Sequence, residues 1–104
     1  MILNPGLVGL GILDSFVSGT PMLTTDCGLH SPEIAYLEHG VNGLMTADDM
    51  DEFVLAACEV ISDDRMYESI SLNAKKLSTD LTITAMAENF STALHSCLAQ
   101  PSFR

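Results

Sequence analysis

An α/β fold with a short parallel sheet is what this sequence predicts, and three observations carry it. Three short segments rich in apolar and β-branched residues, 1–3, 21–26 and 44–46, alternate with segments of helical character. Each is bounded by proline, glycine or asparagine. From Thr46 onward the apolar residues recur at helical spacing and no further strand pattern occurs. A chain of 104 residues makes one domain, here 1–104, in which a β/α part over 1–46 leads into a helical tail over 47–100.

The first segment, Met1-Ile2-Leu3, opens directly into Asn4-Pro5-Gly6 and reads as the end of a buried strand whose earlier part is absent. Leu10, Ile12, Leu13, Phe16 and Val17 then predict a buried helix over 9–18, apolar on most sides, with Gly19 stopping it and Pro21 following. Pro21 suits the first position of the second strand. Ser31-Pro32-Glu33 predicts a short helix with Ser31 as N-cap and Pro32 at its first position, ending at Gly40. Val41-Asn42-Gly43 is a turn into the last strand, 44–46.

In the tail, Thr46 and Asp49 form a capping-box-like start, and Met50, Phe53, Val54, Ala57 and Ile61 define the apolar face of the helix that follows. Ser62-Asp63-Asp64 interrupts it and caps another, with Tyr67, Ile70, Ala74 and Leu77 on one side. Asp80 opens a final helix whose apolar face is Ile83, Met86, Ala87, Phe90, Leu94, Cys97 and Leu98, with Pro101 beyond its end. No internal repeat or low-complexity tract is present.

Composition narrows the partners. Four cations, Arg65, Lys75, Lys76 and Arg104, face fourteen carboxylates, for a formal charge of −10. Such a chain cannot neutralise a polyanion, so nucleic acid and anionic membrane surfaces are poor partners. An anion that does bind must use backbone N–H groups, a helix N-terminus or cations from another domain. No apolar run approaches the roughly 20 residues of a membrane span, and no charged leader precedes an apolar core, so the sequence reads as a soluble cytoplasmic protein. Cys27, Cys58 and Cys97 are odd in number and widely spaced, which speaks against a disulfide framework and makes the last two small apolar core residues. Asp26, Cys27 and His30 do not complete the four ligands of a structural zinc site, so no metal and no cofactor is expected.

The run Asn4-Pro5-Gly6-Leu7-Val8-Gly9-Leu10-Gly11-Ile12-Leu13-Asp14-Ser15-Phe16, followed by Gly19-Thr20-Pro21-Met22-Leu23-Thr24-Thr25-Asp26, resembles the C-terminal nucleotide-sugar-binding domain of glycosyltransferase family 4. Ser31-Pro32-Glu33-Ile34 and Gly40-Val41-Asn42-Gly43-Leu44 continue the pattern in the same order, so the resemblance covers about the first 45 residues. It implies a partial Rossmann-like three-layer domain, the second half of the C-terminal domain of a GT-B enzyme, whose partners are a nucleotide-sugar donor and an N-terminal acceptor domain outside this chain. It implies transfer of a sugar from a nucleotide diphosphate to an acceptor, with retention and without an obligatory metal. Of the family's two glutamates with seven residues between them, Asp14 stands at the second position; eight residues before it is Gly6, so the first carboxylate is missing.

The candidate donor-binding residues are Gly6, Gly9, Gly11, Asp14, His30 and Glu33. Glycines let the backbone approach an anion, and the start of the following helix adds a positive partial charge. Asp is a poor helix-interior residue, and its neighbours Gly11 and Ser18 are small; Asp14 either contacts ribose hydroxyls, faces solvent or caps a loop. Glu33 lies where any helix start favours a carboxylate, and the resemblance puts it near the cleft. His30, in a loop, either reaches a phosphate or sugar hydroxyl or has no role. The alternative to a transferase fragment is a non-catalytic association module. Either way, a sheet face or edge left uncovered by a missing half predicts a two-fold homodimer.

Overall fold

A computed structural model describes residues 1–101; Arg104, the fourth cation, lies outside the described residues. Three parallel strands, β1 (Ile2–Asn4), β2 (Met22–Thr25) and β3 (Leu44–Thr46), lie in the order β1-β2-β3. Leu3 pairs with Leu23, and Leu23 with Leu44. Helix α1 (Gly11–Ser18) and a 3-10 turn (Pro32–Tyr36) provide the crossovers, and α2 (Met50–Ser62), α3 (Asp64–Ser78) and α4 (Ile83–Leu98) follow the sheet.

Alternate residues of β2 face opposite ways, so its two faces build two cores. Met22 packs with Val8, Ile12 and Phe16 of the α1 side, together with the partly buried Ile34 and Leu37 of the 3-10 region. Leu23 packs with Leu44 and with Phe53, Ala57 and Val60 of α2. The result is a three-layer α/β/α arrangement, a Rossmann-like fragment. All four residues of β2 are buried, as befits a central parallel strand.

Helix α3 closes one end. Its Ile70 joins one core and its Ala74 the other. Its polar side chains reach the residues that precede each strand: Tyr67 Oη accepts from the Met1 amine, Ser71 Oγ donates to the Gly19 carbonyl, and Asn73 Nδ2 donates to the Val41 carbonyl. The amino ends of the strands are therefore covered, and the carboxyl ends open into loops.

Gly19 ends α1 at φ 64°, a conformation only glycine adopts cheaply, and a Cβ there would meet the Lys75 side chain at 2.6 Å. Ser15, fully buried, donates to the Thr20 carbonyl at 2.6 Å and so tightens the same turn. Asn42, also buried, shapes the turn before β3: its Oδ1 accepts from the Glu38 N–H and its Nδ2 donates to the Tyr36 carbonyl.

Several sequence expectations need correction. Helix α1 buries only Ile12, Ser15 and Phe16, while Val17 and Leu10 face outward. Ser31 makes no side-chain cap, and the segment after it is a 3-10 turn that ends at Tyr36; the Ser31 N–H instead donates to the Val8 carbonyl. Thr46 belongs to β3, and Asp49 alone caps α2 by accepting from the Glu52 N–H. The buried stripe of α2 is Phe53, Ala57 and Val60, with Met50, Val54 and Ile61 exposed. Thr82, rather than Asp80, caps α4. Cys58 and Cys97 are exposed thiols and not core residues.

The apolar face of α4 exists as expected but stays exposed: no α4 residue is buried, and Ile83 is 87% and Phe90 70% exposed. A radius of gyration of 16.6 Å, against about 13 Å for a compact chain of this length, agrees with a helix that stands away from the body. No helix among the described residues is long and apolar enough to cross a membrane.

Candidate functional site

In open parallel sheets, ligands bind beyond the carboxyl ends of the strands. Three loops meet there. The loop after β1, residues 5–10, carries Gly6 and Gly9; the loop after β2, residues 26–31, carries His30; residues 47–49 lead from β3 into α2.

Threonines at the end of β2 anchor the first loop. Thr25 Oγ1 donates to the Pro5 carbonyl at 2.6 Å, and Thr24 Oγ1 to the Gly6 carbonyl at 3.5 Å. Val8 is held from both sides: its N–H donates to His30 Nδ1 at 2.9 Å, and its carbonyl accepts from the Ser31 N–H at 3.0 Å. The Asp26 N–H donates to the Thr46 carbonyl at 2.8 Å, tying the second loop to β3. Apart from the Val8 N–H, these bonds use carbonyls of the first loop and leave several of its donors free. The N–H groups of Leu7, Gly9, Leu10 and Gly11 find no acceptor among the described residues, while Gly6 N–H donates to Asn4 Oδ1. Four unsatisfied donors at the start of a helix are the elements of an anion site.

The glycines add a second observation. Gly6, Gly9 and Gly11 have no positive φ, and a Cβ at Gly6 or Gly11 would meet nothing within 4 Å, while one at Gly9 would make only an ordinary contact with Ser31 Oγ. Neither backbone conformation nor packing within this chain demands glycine at these places. What their lack of side chain leaves is open space in front of the loop.

Asp14 is exposed on α1, between the exposed Gly11 and Ser18, and makes no hydrogen bond among the described residues; of its possible roles, loop capping is absent from the structure. Glu33 is half-buried on the 3-10 turn, and its Oε2 is buried with no partner. A buried carboxylate oxygen without a donor is costly to leave so. The imidazole of His30 has both nitrogens engaged by main chain, since Nε2 lies 2.6 Å from the Thr25 carbonyl. The structure thus joins the glycine loop and His30 by direct bonds, connects Glu33 to them through Ser31, and sets Asp14 on the same helix that the loop opens.

Arg65, Lys75 and Lys76, the cations among the described residues, all lie on α3, and Lys75 packs against Gly19 at the amino ends of the strands. The glycine loop therefore offers an anion main-chain donors and a helix dipole without a basic side chain. No group of three or more potential metal ligands gathers among the described residues.

A concavity of about 610 Å³ is an open groove between residues 35–42 and the end of α3, lined by Asn73, Lys76 and Asp80. None of the candidate residues lines it. The glycine loop lies on an exposed surface.

No protein-family model and no curated protein matches the chain. Among solved structures, the chain is similar to Anabaena HepE (Alr3699), a crystal structure in complex with UDP, with a TM-score of 0.71 and 21% identity over 89% of this chain. The match spans 25% of that protein's length. At this identity the likeness establishes the fold.

Proposed function

We propose that the chain is the donor-holding half-domain of a retaining GT-B glycosyltransferase of family 4, in which the glycine loop binds the diphosphate of a nucleotide sugar. The observation that carries this reading is the set of free N–H groups of Leu7, Gly9, Leu10 and Gly11, fronted by glycines that the chain's own packing does not require. The order of the family-like motifs and the likeness in fold to a protein solved with UDP support it. Asp14 accepts from ribose hydroxyls across the open stripe beside Gly11, and Glu33 supplies its unpaired oxygen to a donor hydroxyl.

The chemistry of the site is electrostatic. A departing nucleoside diphosphate gains negative charge, and fixed main-chain donors stabilise that charge more in the transition state than in the ground state. The family's first glutamate is replaced by Gly6, so contacts to the donor sugar come from elsewhere. The acceptor and the cations of the diphosphate clamp belong to an N-terminal domain outside this chain, consistent with the confinement of Arg65, Lys75 and Lys76 to α3. The half-domain alone does not transfer sugar, because positioning of donor against acceptor supplies roughly 7 to 11 kcal/mol of barrier reduction and needs both walls.

Calorimetric titration with UDP and UDP-sugars tests the proposal. Saturable heat that Asp14→Asn reduces, with an unchanged melting temperature, is the expected result; no heat with any nucleotide sugar overturns it. A second reading, a non-catalytic association module that forms a homodimer, is favoured by the uncovered apolar face of α4. Sedimentation tests the second, since a well-behaved monomer at high micromolar concentration contradicts it.

A further inference from the structure

His30 is bonded on both edges of its ring by main chain, on one side from the loop after β1 and on the other from the end of β2. The Val8 N–H donates to Nδ1 at 2.9 Å, and Nε2 sits 2.6 Å from the Thr25 carbonyl oxygen. A carbonyl only accepts, so Nε2 carries the hydrogen; an N–H donor needs a bare nitrogen, so Nδ1 carries none. The ring is thereby fixed as the neutral Nε2–H tautomer. It ties the glycine loop after β1 to the last residue of β2, 22 residues apart in sequence from Val8 to His30. Val8 is fully buried and lies between Leu7 and Gly9, whose N–H groups are free. Fixing Val8 fixes the direction in which those donors point.

We propose that His30 is a positioning residue of the anion site, holding the glycine loop in its binding geometry through Val8 in the neutral form alone. The inference rests on the diphosphate reading given above. A proton added at Nδ1 sets N–H against N–H, and Val8 loses its acceptor. The Thr25 side of the latch survives, because Nε2 donates in both forms. The Cys27 sulfur, 3.7 Å from Nε2, is the one titratable side chain that hydrogen-bonds the ring among the described residues. Asp26 on the same loop, Glu33 on the 3-10 turn and Asp14 on α1 make no hydrogen bond to it. Acid therefore opens one bond and leaves the rest of the loop's anchors, from Thr24, Thr25 and Ser31, in place.

Three measurements on the full 104-residue chain test this. Long-range proton–nitrogen spectra at pH 8 read the tautomer, amide exchange of Val8 between pH 8 and 5 reads the latch without ligand, and UDP affinity across the same range reads the site. The expected results are the Nε2–H tautomer and a Val8 protection factor about tenfold lower once the ring is protonated, with Asp26 N–H protection unchanged. UDP affinity should fall in parallel. Two variants sharpen the result. His30→Asn keeps an acceptor near the Nδ1 position and should retain Val8 protection, now without pH dependence, and UDP affinity at pH 8. His30→Gln keeps only a group near Nε2 and should lose both about tenfold at pH 8. An Nδ1–H tautomer, or Val8 protection unchanged when the same spectra show the ring protonated, overturns the latch without any variant. Loss of UDP affinity in both variants with Val8 protection intact would make His30 a ligand contact and overturn the positioning role. Failure of the unaltered chain to bind UDP, with Val8 behaving as expected, overturns the diphosphate reading and leaves the latch as a loop anchor only.

Discussion

Helices α1 and α4 each carry an apolar stripe, and the two stripes meet opposite fates. In α1, Ile12 and Phe16 are fully buried against the sheet, Ser15 is consumed by a turn, and the exposed side is the small-residue stripe of Gly11, Asp14 and Ser18. In α4, Ile83, Met86, Phe90 and Leu98 are exposed and no residue is buried. The difference shows that an apolar stripe reports a face in need of cover and says nothing of whether the cover lies within the chain. Stability of this domain resides in the body from β1 to α3, and α4 contributes little to it.

Paired truncations break or sharpen that comparison. Phe16→Ala should cost about 3 to 5 kcal/mol of unfolding free energy, because it empties a closed core position. Phe90→Ala should lie within about 0.5 kcal/mol of the parent, as substitutions on open surface do. Denaturant melts of the two variants check both, and a large loss in Phe90→Ala would mean that α4 is covered in solution by a second copy.

Two glycines on α1 and its cap give the next contrast. Gly19→Ala should destabilise by about 1 to 2 kcal/mol, since the alanine must hold a left-handed conformation against the Lys75 side chain. Gly11→Ala should leave stability unchanged or raise it by up to about 1 kcal/mol, its backbone being ordinary and its surroundings open. If the loop serves a ligand, the same Gly11→Ala change weakens UDP binding by about 1.5 kcal/mol, so that thermal melting and calorimetry move in opposite senses. Equal destabilisation of both variants would remove the distinction between glycine used for the fold and glycine used for access.

The smallest effects concern caps. Asp49→Ala removes the acceptor of the Glu52 N–H and should cost about 1 kcal/mol. Ser31→Ala removes no cap bond and should cost less than about 0.5 kcal/mol in the same thermal melts.

The parallel α/β order was legible because strand-length apolar runs and helical spacing alternate, and Gly19 and Asn42 punctuate them with specific geometry. The phase of α2 was not. Ala57 belongs to two possible stripes, one through Met50, Val54 and Ile61 and one through Phe53 and Val60, and only the position of Leu23 and Leu44 on the sheet decides between them. Ser31 was misread for a related reason: its N–H goes to Val8, a partner 23 residues earlier that no local pattern names. The candidate site was readable as a glycine loop running into a helix. The role of the His30 ring was not, since its partners Val8 and Thr25 belong to other elements, and neither is the burial of Glu33 Oε2 written in its neighbours in sequence.

The central claim is that the free donors of the glycine loop hold a nucleoside diphosphate. Amide proton–nitrogen spectra of the chain titrated with UDP test it residue by residue. The account predicts saturable shifts at Leu7, Gly9, Leu10 and Gly11, with none in the groove lined by Asn73, Lys76 and Asp80. Shifts confined to that groove, or a spectrum unmoved at millimolar UDP, would contradict it.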